Sequence, residues 1–175
     1  MTMNPIDKKD NTKRSKNIFI CYETLTGLDY AKHLKKALKK IGRSAFVADE
    51  DIKKGEPERE DIDKTIKECK YFIVIVTSAA LESEEVKREI DLVQNFNKNL
   101  KQKKIIIPCK EKEVYRSWLS KLPVISELQQ IEFENKEDLA RKVISEILKR
   151  ETVKITIESV TSADVYVNGR KVGRT

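Results

Sequence analysis

The chain has few of the residues that break or cross-link a fold. Its 175 residues include only five Gly and four Pro, which excludes collagen-like and linker-like chains. Its cysteines, Cys21, Cys69 and Cys109, are odd in number and form no Cys-x-x-Cys pair, so we expect reduced thiols and no zinc site. No apolar run approaches the roughly 18 residues of a membrane helix, and the polar N-terminus lacks the apolar segment of a signal peptide. These absences predict a cytoplasmic protein.

Charge of one sign is only in moderate excess. The chain has 36 Lys and Arg against 29 Asp and Glu, a formal net charge of +7. Residues 1–16 carry five of these cations against two acids and show no periodicity, which predicts a flexible basic leader. The remaining charges mix both signs along helical patterns, and no nucleic-acid-binding motif is visible. We therefore expect no nucleic-acid partner.

Residues 17–150 alternate between two kinds of pattern. Short apolar runs predict strands over residues 18–22, 44–48, 71–76 and 104–108, and alternating apolar and polar residues predict an edge strand over 128–133. Apolar residues at helical spacing predict helices over residues 26–41, 61–69, 136–150 and from 81 or 83 to 97. Gly42 is placed to end the first helix, and Pro108 is expected to stop the fourth strand. Residues 49–59 are expected to form a loop, and residues 109–127 to be irregular with a helical turn over 115–119. Such alternation predicts an α/β fold with a parallel sheet.

Residues 151–175 have a different, β-type pattern. Apolar and polar residues alternate over 153–158 and 164–167, and Asn168-Gly169 is a strong hairpin turn before a return strand over 170–172. A few strands are too few to fold alone. We interpret this segment as the start of a second domain.

Candidate chemistry is concentrated in carboxylates near one edge of the predicted sheet. The turn over residues 23–27 has no Gly-rich phosphate-binding pattern, which disfavours a dehydrogenase or a P-loop NTPase. Glu82, Glu85 and Glu89 recur at i, i+3 and i+7 just after the strongest predicted strand, on one predicted helix face. They form either a solvated acidic face or a site that stabilises an oxocarbenium ion in glycosidic cleavage. Spacing alone does not distinguish Glu85 from Glu89.

Several segments, in order, resemble TIR (Toll/interleukin receptor) domains. Residues 18–22 (IFICY) resemble the Phe-Ile-Ser-Tyr opening strand of that family, with Cys21 in place of Ser. Residues 49–56 resemble its BB loop, and residues 65–78 its third strand with the lead-in. Residues 83–90 (SEEVKREI) resemble the helix that carries the catalytic glutamate of TIR enzymes. The resemblance covers residues 17–150 and implies a flavodoxin-like three-layer sandwich with a central five-stranded parallel sheet.

The resemblance to prokaryotic TIR enzymes also implies an activity. It implies an NAD+ glycohydrolase or cyclase in antiviral or stress defence, with Glu89 as the catalytic residue and NAD+ as substrate, not cofactor. We expect Glu89 to be partly exposed and no metal to be needed. The implied substrate-binding residues are Tyr22, Glu23, Thr24, Asp49, Ile52, Ser83 and Glu85. Glu85 stands where family enzymes often have Trp, which alters the expected stacking surface.

The resemblance further implies self-association through TIR–TIR contacts that include the loop around Gly55. Two alternatives stay open: a non-catalytic TIR scaffold that assembles signalling complexes, and a nucleoside-processing enzyme of similar architecture that ignores NAD+. Residues 155–175 resemble the beginning of a PEGA domain, a small β module associated with binding at surfaces or to carbohydrate.

Overall fold

The computed structural model describes residues 17–52, 58–99, 101, 103–115, 118–151, 164–167 and 170–174. The chain divides into two compact units, Met1–Ser145 and Glu146–Thr175. Three sequence predictions, the basic leader over 1–16, the loop around Gly55 and the strand over 153–158, lie outside the described residues. None of the described helices is long and apolar enough to cross a membrane.

A five-stranded parallel sheet is the centre of the first unit. Its strands are β1 (Ile18–Cys21), β2 (Ala45–Phe46), β3 (Tyr71–Val76), β4 (Ile105–Glu111) and β5 (Ile131–Phe133). They lie in the order β2-β1-β3-β4-β5, and every adjacent pair is parallel. The predicted flavodoxin-like sheet is therefore confirmed.

Helices flank this sheet. The longer ones are α1 (Thr24–Lys40), α3 (Glu58–Glu68), α4 (Glu84–Asn99) and α7 (Lys136–Glu151). Short helices are α2 (Ala48–Asp51), α5 (Trp118–Lys121) and α6 (Pro123–Ser126), and Ala79–Leu81 form a 3-10 turn. All six residues of β3 are buried, as expected for a central strand covered on both faces. Phe19 of β1 stacks on Phe72 of β3 at 5.3 Å between ring centroids, which fixes two neighbouring strands in one core.

Helix α1 shows why the strand–helix alternation was visible in the sequence. Ala31, Leu34 and Leu38 form its buried stripe. The helix ends in a Schellman motif, in which Arg43 N–H donates to the Leu38 carbonyl at 3.0 Å. Gly42 occupies the left-handed position of this motif with φ +76°, so its predicted role at the end of α1 is confirmed.

The fourth strand does not stop at Pro108, contrary to the prediction. β4 continues to Glu111, with Pro108 opposite Val74 of β3. The partner strand β5 begins to pair only at Cys109. Pro108 therefore lies where β4 pairs with β3 but not yet with β5, the kind of edge position at which a sheet tolerates proline.

Two segments expected to be irregular contain short helices. The carboxylate of Asp51, at the end of α2, accepts from the N–H of Val47 just before this helix at 2.8 Å and stabilises the single turn. It also pairs with Lys35 of α1. Helices α5 and α6 lie within the stretch 109–127, where the sequence predicts only a helical turn over 115–119; α5 overlaps the end of that turn. Leu128 N–H donates to the Ile125 carbonyl at the end of α6. β5 is consequently shorter than predicted.

In the second unit, β6 (Asp164–Val167) and β7 (Arg170–Arg174) form an antiparallel pair. The predicted strands around Asn168-Gly169 are present, while the two turn residues lie outside the described part. The PEGA-like interpretation stays a prediction.

Candidate active site

The sheet order places a crevice between β1 and β3. The chain leaves β1 for β2 on one side, while β3 lies on the other, so this is the topological switch point of the sheet. The carboxyl ends of both strands meet here, and the Oγ1 atoms of Thr26 and Thr77 are 2.7 Å apart across the gap. A ligand site in this kind of sheet is expected at this edge.

Glu89 is buried at this crevice. Glu89 is 6 % exposed and lies on the buried face of α4 together with Val86 and Ile90. The thiol of Cys21, the last residue of β1, is close enough to the carboxyl group of Glu89 for each group to shift the pKa of the other. The expectation that Glu89 is partly exposed is therefore wrong. The reason is that the buried stripe of α4 is wide enough to include position 89.

Burial changes the protonation of this pair. Loss of water raises the pKa of Glu89 to about 8, the thiol hydrogen bond from Cys21 opposes this shift, and the nearby charge of Glu85 adds to it. Burial, followed by the charge of Glu89, raises the pKa of Cys21 well above its usual value. At neutral pH the carboxyl group of Glu89 is therefore mainly protonated and the thiol of Cys21 remains a donor.

The other two glutamates of the predicted acidic face have different positions. Glu85 is half-exposed and accepts from Arg88 Nε at 2.9 Å, while Arg88 Nη1 donates to Asp63 at 2.7 Å. Arg88 Nη2 is also 2.8 Å from Glu85 Oε1 but is buried without hydrogen-bond geometry. Glu82 precedes the first turn of α4 and pairs with Lys121. The three glutamates therefore do not share one helix face, and the charge of Arg88 partly opposes the effect of Glu85 on the pKa of Glu89.

Tyr22 is held at both ends of its side chain. Its hydroxyl donates to Asp49 Oδ2 at 2.5 Å and accepts from Asp49 N–H at 3.2 Å. A Cβ atom added to Gly27 would lie 2.9 Å from the Cβ of Tyr22, so only glycine allows this approach. Burial, followed by the bond to Asp49, raises the pKa of Tyr22, and the charge of Glu89 contributes. The structure thus joins Tyr22 directly to Asp49 and places Tyr22 within reach of the charge of Glu89.

Glu23 and Ser83 have local structural roles. Glu23 caps α1 by accepting from Leu25 N–H and Thr26 N–H, both at 2.9 Å. Its partial burial acts to raise the pKa of its carboxyl group, but these hydrogen bonds prevail and lower it. Ser83 Oγ accepts from Val86 N–H at 3.3 Å and so caps the start of α4. The binding roles predicted for both residues stay predictions.

The remaining predicted binding residues differ in position. Thr24 is exposed at the first position of α1. Ile52 packs against the hydrophobic core at the end of α2, which argues for a structural role. Sequence reasoning missed the contact of Cys21 with Glu89 and the hydroxyl pair of Thr26 and Thr77. The only signal for them was their place at or just beyond strand ends. Across the described ranges, no group of three or more His, Cys, Asp or Glu could hold a metal ion.

The fold and the crevice together define a doubly wound α/β domain with its candidate site at the carboxyl edge of β1 and β3. The TIR domain family matches residues 18–148, most of the chain, and the chain belongs to this family. A search among curated proteins finds no match.

Solved structures with similar folds come from proteins of several kinds. The TIR domains of the activated Roq1 resistosome, which recognises the effector XopQ, have a TM-score of 0.65 at 14 % identity and cover 76 % of this chain and 99 % of that chain. The TIR domain of the Toll-related receptor TRR-2 from Hydra magnipapillata has a TM-score of 0.55 at 18 % identity, covering 78 % and 97 %. The CMP N-glycosidase BcmB of Clostridium botulinum has a TM-score of 0.53 at 17 % identity, covering 74 % and 98 %. At these identities the likeness establishes the fold alone.

Proposed function

We propose that this TIR domain is an NAD+ glycohydrolase or cyclase with Glu89 as its catalytic residue. One observation carries the proposal: a buried carboxyl group lies at the switch-point crevice, next to Cys21 and Tyr22. Membership of the TIR family supports it, because the family resemblance points to the same glutamate.

The reaction breaks the bond between C1′ of the ribose and the nicotinamide nitrogen. The bonding electron pair goes to the nicotinamide ring, whose positive charge it neutralises, so this leaving group needs no proton. An ionised Glu89 stabilises the positive charge that develops on the ribose. Water then adds at C1′ and releases a proton to give ADP-ribose, or an adenine nitrogen attacks to give a cyclic isomer.

The raised pKa of Glu89 makes this activity dependent on pH. In the free protein the carboxyl group is half charged near pH 8 and mostly charged only above it. A bound nicotinamide cation favours the ionised form and lowers this pKa. We therefore expect kcat/KM for NAD+ to rise with pH until the free protein has lost the proton of Glu89.

The direct experiment is to incubate the concentrated protein with NAD+ and separate the products by chromatography. Release of nicotinamide is expected, together with ADP-ribose or a cyclic isomer. Glu89→Gln should reduce the rate by about 100-fold or more, as expected when an electrostatic stabiliser is removed. Glu85→Gln is the matched control on the same helix and should reduce the rate much less. Unchanged turnover in Glu89→Gln would overturn the assignment.

A second candidate function follows from the same pKa. A carboxyl group that is protonated at neutral pH can act as a general acid and protonate a leaving base that carries no charge. Cleavage of a pyrimidine nucleotide such as CMP has this requirement, and CMP N-glycosidase activity is named for one protein of similar fold. The two candidate reactions have opposite pH dependence. NAD+ cleavage should become faster as pH rises, whereas CMP cleavage should slow as pH rises through about 8. Cytosine release without nicotinamide release would favour this alternative.

The non-catalytic scaffold remains the third possibility. Self-association is proposed for this chain because a similar structure is of an assembled resistosome. If assembly activates the enzyme, specific NAD+ turnover should increase with protein concentration. A folded protein that forms oligomers and consumes neither NAD+ nor CMP at any concentration would establish the scaffold function.

A further inference from the structure

The outer side of α1 concentrates positive charge on a groove. Lys32, Lys36 and Lys39 are exposed at spacings of three and four residues, which places them along one side of the helix. With Lys35 and His33 they line a groove of about 750 Å³. This volume lies within the roughly 300–1,000 Å³ of small-molecule sites. A smaller hollow of about 250 Å³ shares Lys35 and Lys39 with it and continues past the end of α1.

The carboxylates of this groove are paired with cations other than Lys32, Lys36 and Lys39. Glu50 Oε2 is 3.0 Å from Lys35 Nζ, and Asp29 Oδ2 is 3.0 Å from Lys136 Nζ. By contrast, Lys32, Lys36 and Lys39 have no carboxylate partner within the described part of the chain. The groove therefore presents three ammonium groups whose charge the fold leaves uncompensated.

This arrangement has a cost for the helix. Like charges three or four residues apart destabilise a helix by roughly 0.2–0.5 kcal/mol per pair, and the pairs Lys32–Lys36 and Lys36–Lys39 both have such spacing. The helix dipole favours cations in the last turn, which accounts for Lys39 but not for Lys32 or Lys36. An anion bound in the groove would remove the repulsion.

We propose that this groove binds a short chain of linked phosphates, such as that of a nucleoside triphosphate or inorganic tripolyphosphate. From Lys32 to Lys39 the helix rises by about 10 Å, which suits two or three consecutive phosphates. Lysine ammonium groups form charge-assisted hydrogen bonds with phosphate oxygens. Within the described residues, the row of unpaired cations is only three lysines long, which fits a short polyphosphate better than a longer polyanion such as nucleic acid.

The proposal is tested by titrating inorganic tripolyphosphate into the full chain in a calorimeter. Saturable binding that weakens with added salt is expected. The double variant Lys36→Gln/Lys39→Gln should weaken binding by about tenfold or more, because it removes two charge-assisted contacts. The matched control is Lys64→Gln/Lys67→Gln on α3, which removes two exposed lysines at the same spacing and should leave binding unchanged.

The other outcomes are equally informative. ATP and tripolyphosphate binding with similar affinity identifies the phosphate chain as the recognised group, whereas tighter ATP binding identifies a nucleotide. No saturable binding, or equal weakening in both double variants, overturns the proposal. Tighter binding of a duplex DNA oligonucleotide than of tripolyphosphate also overturns it. Circular dichroism of each variant confirms that the comparison is between folded proteins.

Discussion

Glu89 couples the charge of the candidate site to the stability of the fold. Its pKa is about 8 in the folded chain and 4.5 for an ordinary glutamate. Between these values the folded chain retains a proton that the unfolded chain has released. The free energy of unfolding therefore falls as pH rises through this window, and the full contribution of the protonated group is present only below about 4.5.

Glu89→Gln should remove this dependence. The amide has nearly the same shape and cannot ionise, so the variant escapes the desolvation of a buried charge. We expect it to gain stability over the wild-type protein between pH 5 and about 8, on the order of a few kcal/mol in unfolding free energy. Thermal unfolding followed by circular dichroism across this range measures the difference. Glu85→Gln should keep the wild-type pH dependence, and parallel curves for Glu89→Gln and the wild type would contradict the assigned pKa.

Gly27→Ala tests the packing that holds Tyr22. The new methyl group would meet the Cβ atom of Tyr22 at 2.9 Å, and that atom cannot rotate away from its own backbone. Overpacking of this kind costs about 1–3 kcal/mol, which exceeds the gain of about 1 kcal/mol from alanine in a helix. Urea denaturation should show a net loss of stability. Leu25→Ala, at a 90 % exposed position in the same turn, should be nearly neutral. A more stable Gly27→Ala variant would contradict the close packing.

The candidate site was predictable in composition but not in geometry. Tyr22, Asp49 and Glu89 follow from the family resemblance; the structure joins Tyr22 to Asp49, and the roles of all three stay predictions. Helical periodicity assigns a residue to a face without giving the width of the buried stripe, so the burial of Glu89 could not be predicted. A cysteine at a strand end reads as a small apolar residue, and its place beside Glu89 depends on how α4 packs in the shared core.

Among the elements, the end of α1 gives a sharp test of backbone conformation. Gly42 has φ +76°, and a Cβ there would touch nothing within 4 Å, so conformation alone determines the effect of substitution. Gly42→Ala should lose about 1–2 kcal/mol of stability because an L-residue is strained in the left-handed region. Urea denaturation measures this loss. Gly42→Asn should lose less stability, since asparagine tolerates this conformation. Equal losses in the two variants would argue against backbone strain as the cause.

The long elements were predictable because their patterns are strong. The run over β3 and the apolar stripe of α1 each repeat over enough residues to define their type. The short helices α2, α5 and α6 have four residues each, too few for a period to be visible. The extension of β4 past Pro108 depends on where β5 begins to pair, which no local pattern contains.

For the molecule as a whole, the sheet order predicts a gradient of stability. β3 pairs with a strand on each side, and all its residues are buried, whereas β2 and β5 lie at the edges and have two and three residues. The β6–β7 pair belongs to the other compact unit. Among the described strands β6 and β7 pair only with each other, and a two-stranded pair gains little from pairing, so they should open at a lower free energy than β3.

Amide hydrogen exchange measures this gradient directly. The amides of β3 should exchange only through global unfolding, so their opening free energy should equal that from urea denaturation and fall with urea at the same slope. The amides of β5 should exchange through local opening. This opening should have a lower free energy that depends little on urea, because it exposes little surface. Equal protection of β3 and β5 would mean that the sheet opens as one unit. Since Cys21 and Glu89 meet where β1 and β3 end, slow exchange in these two strands would also identify the candidate site as part of the most stable region of the fold.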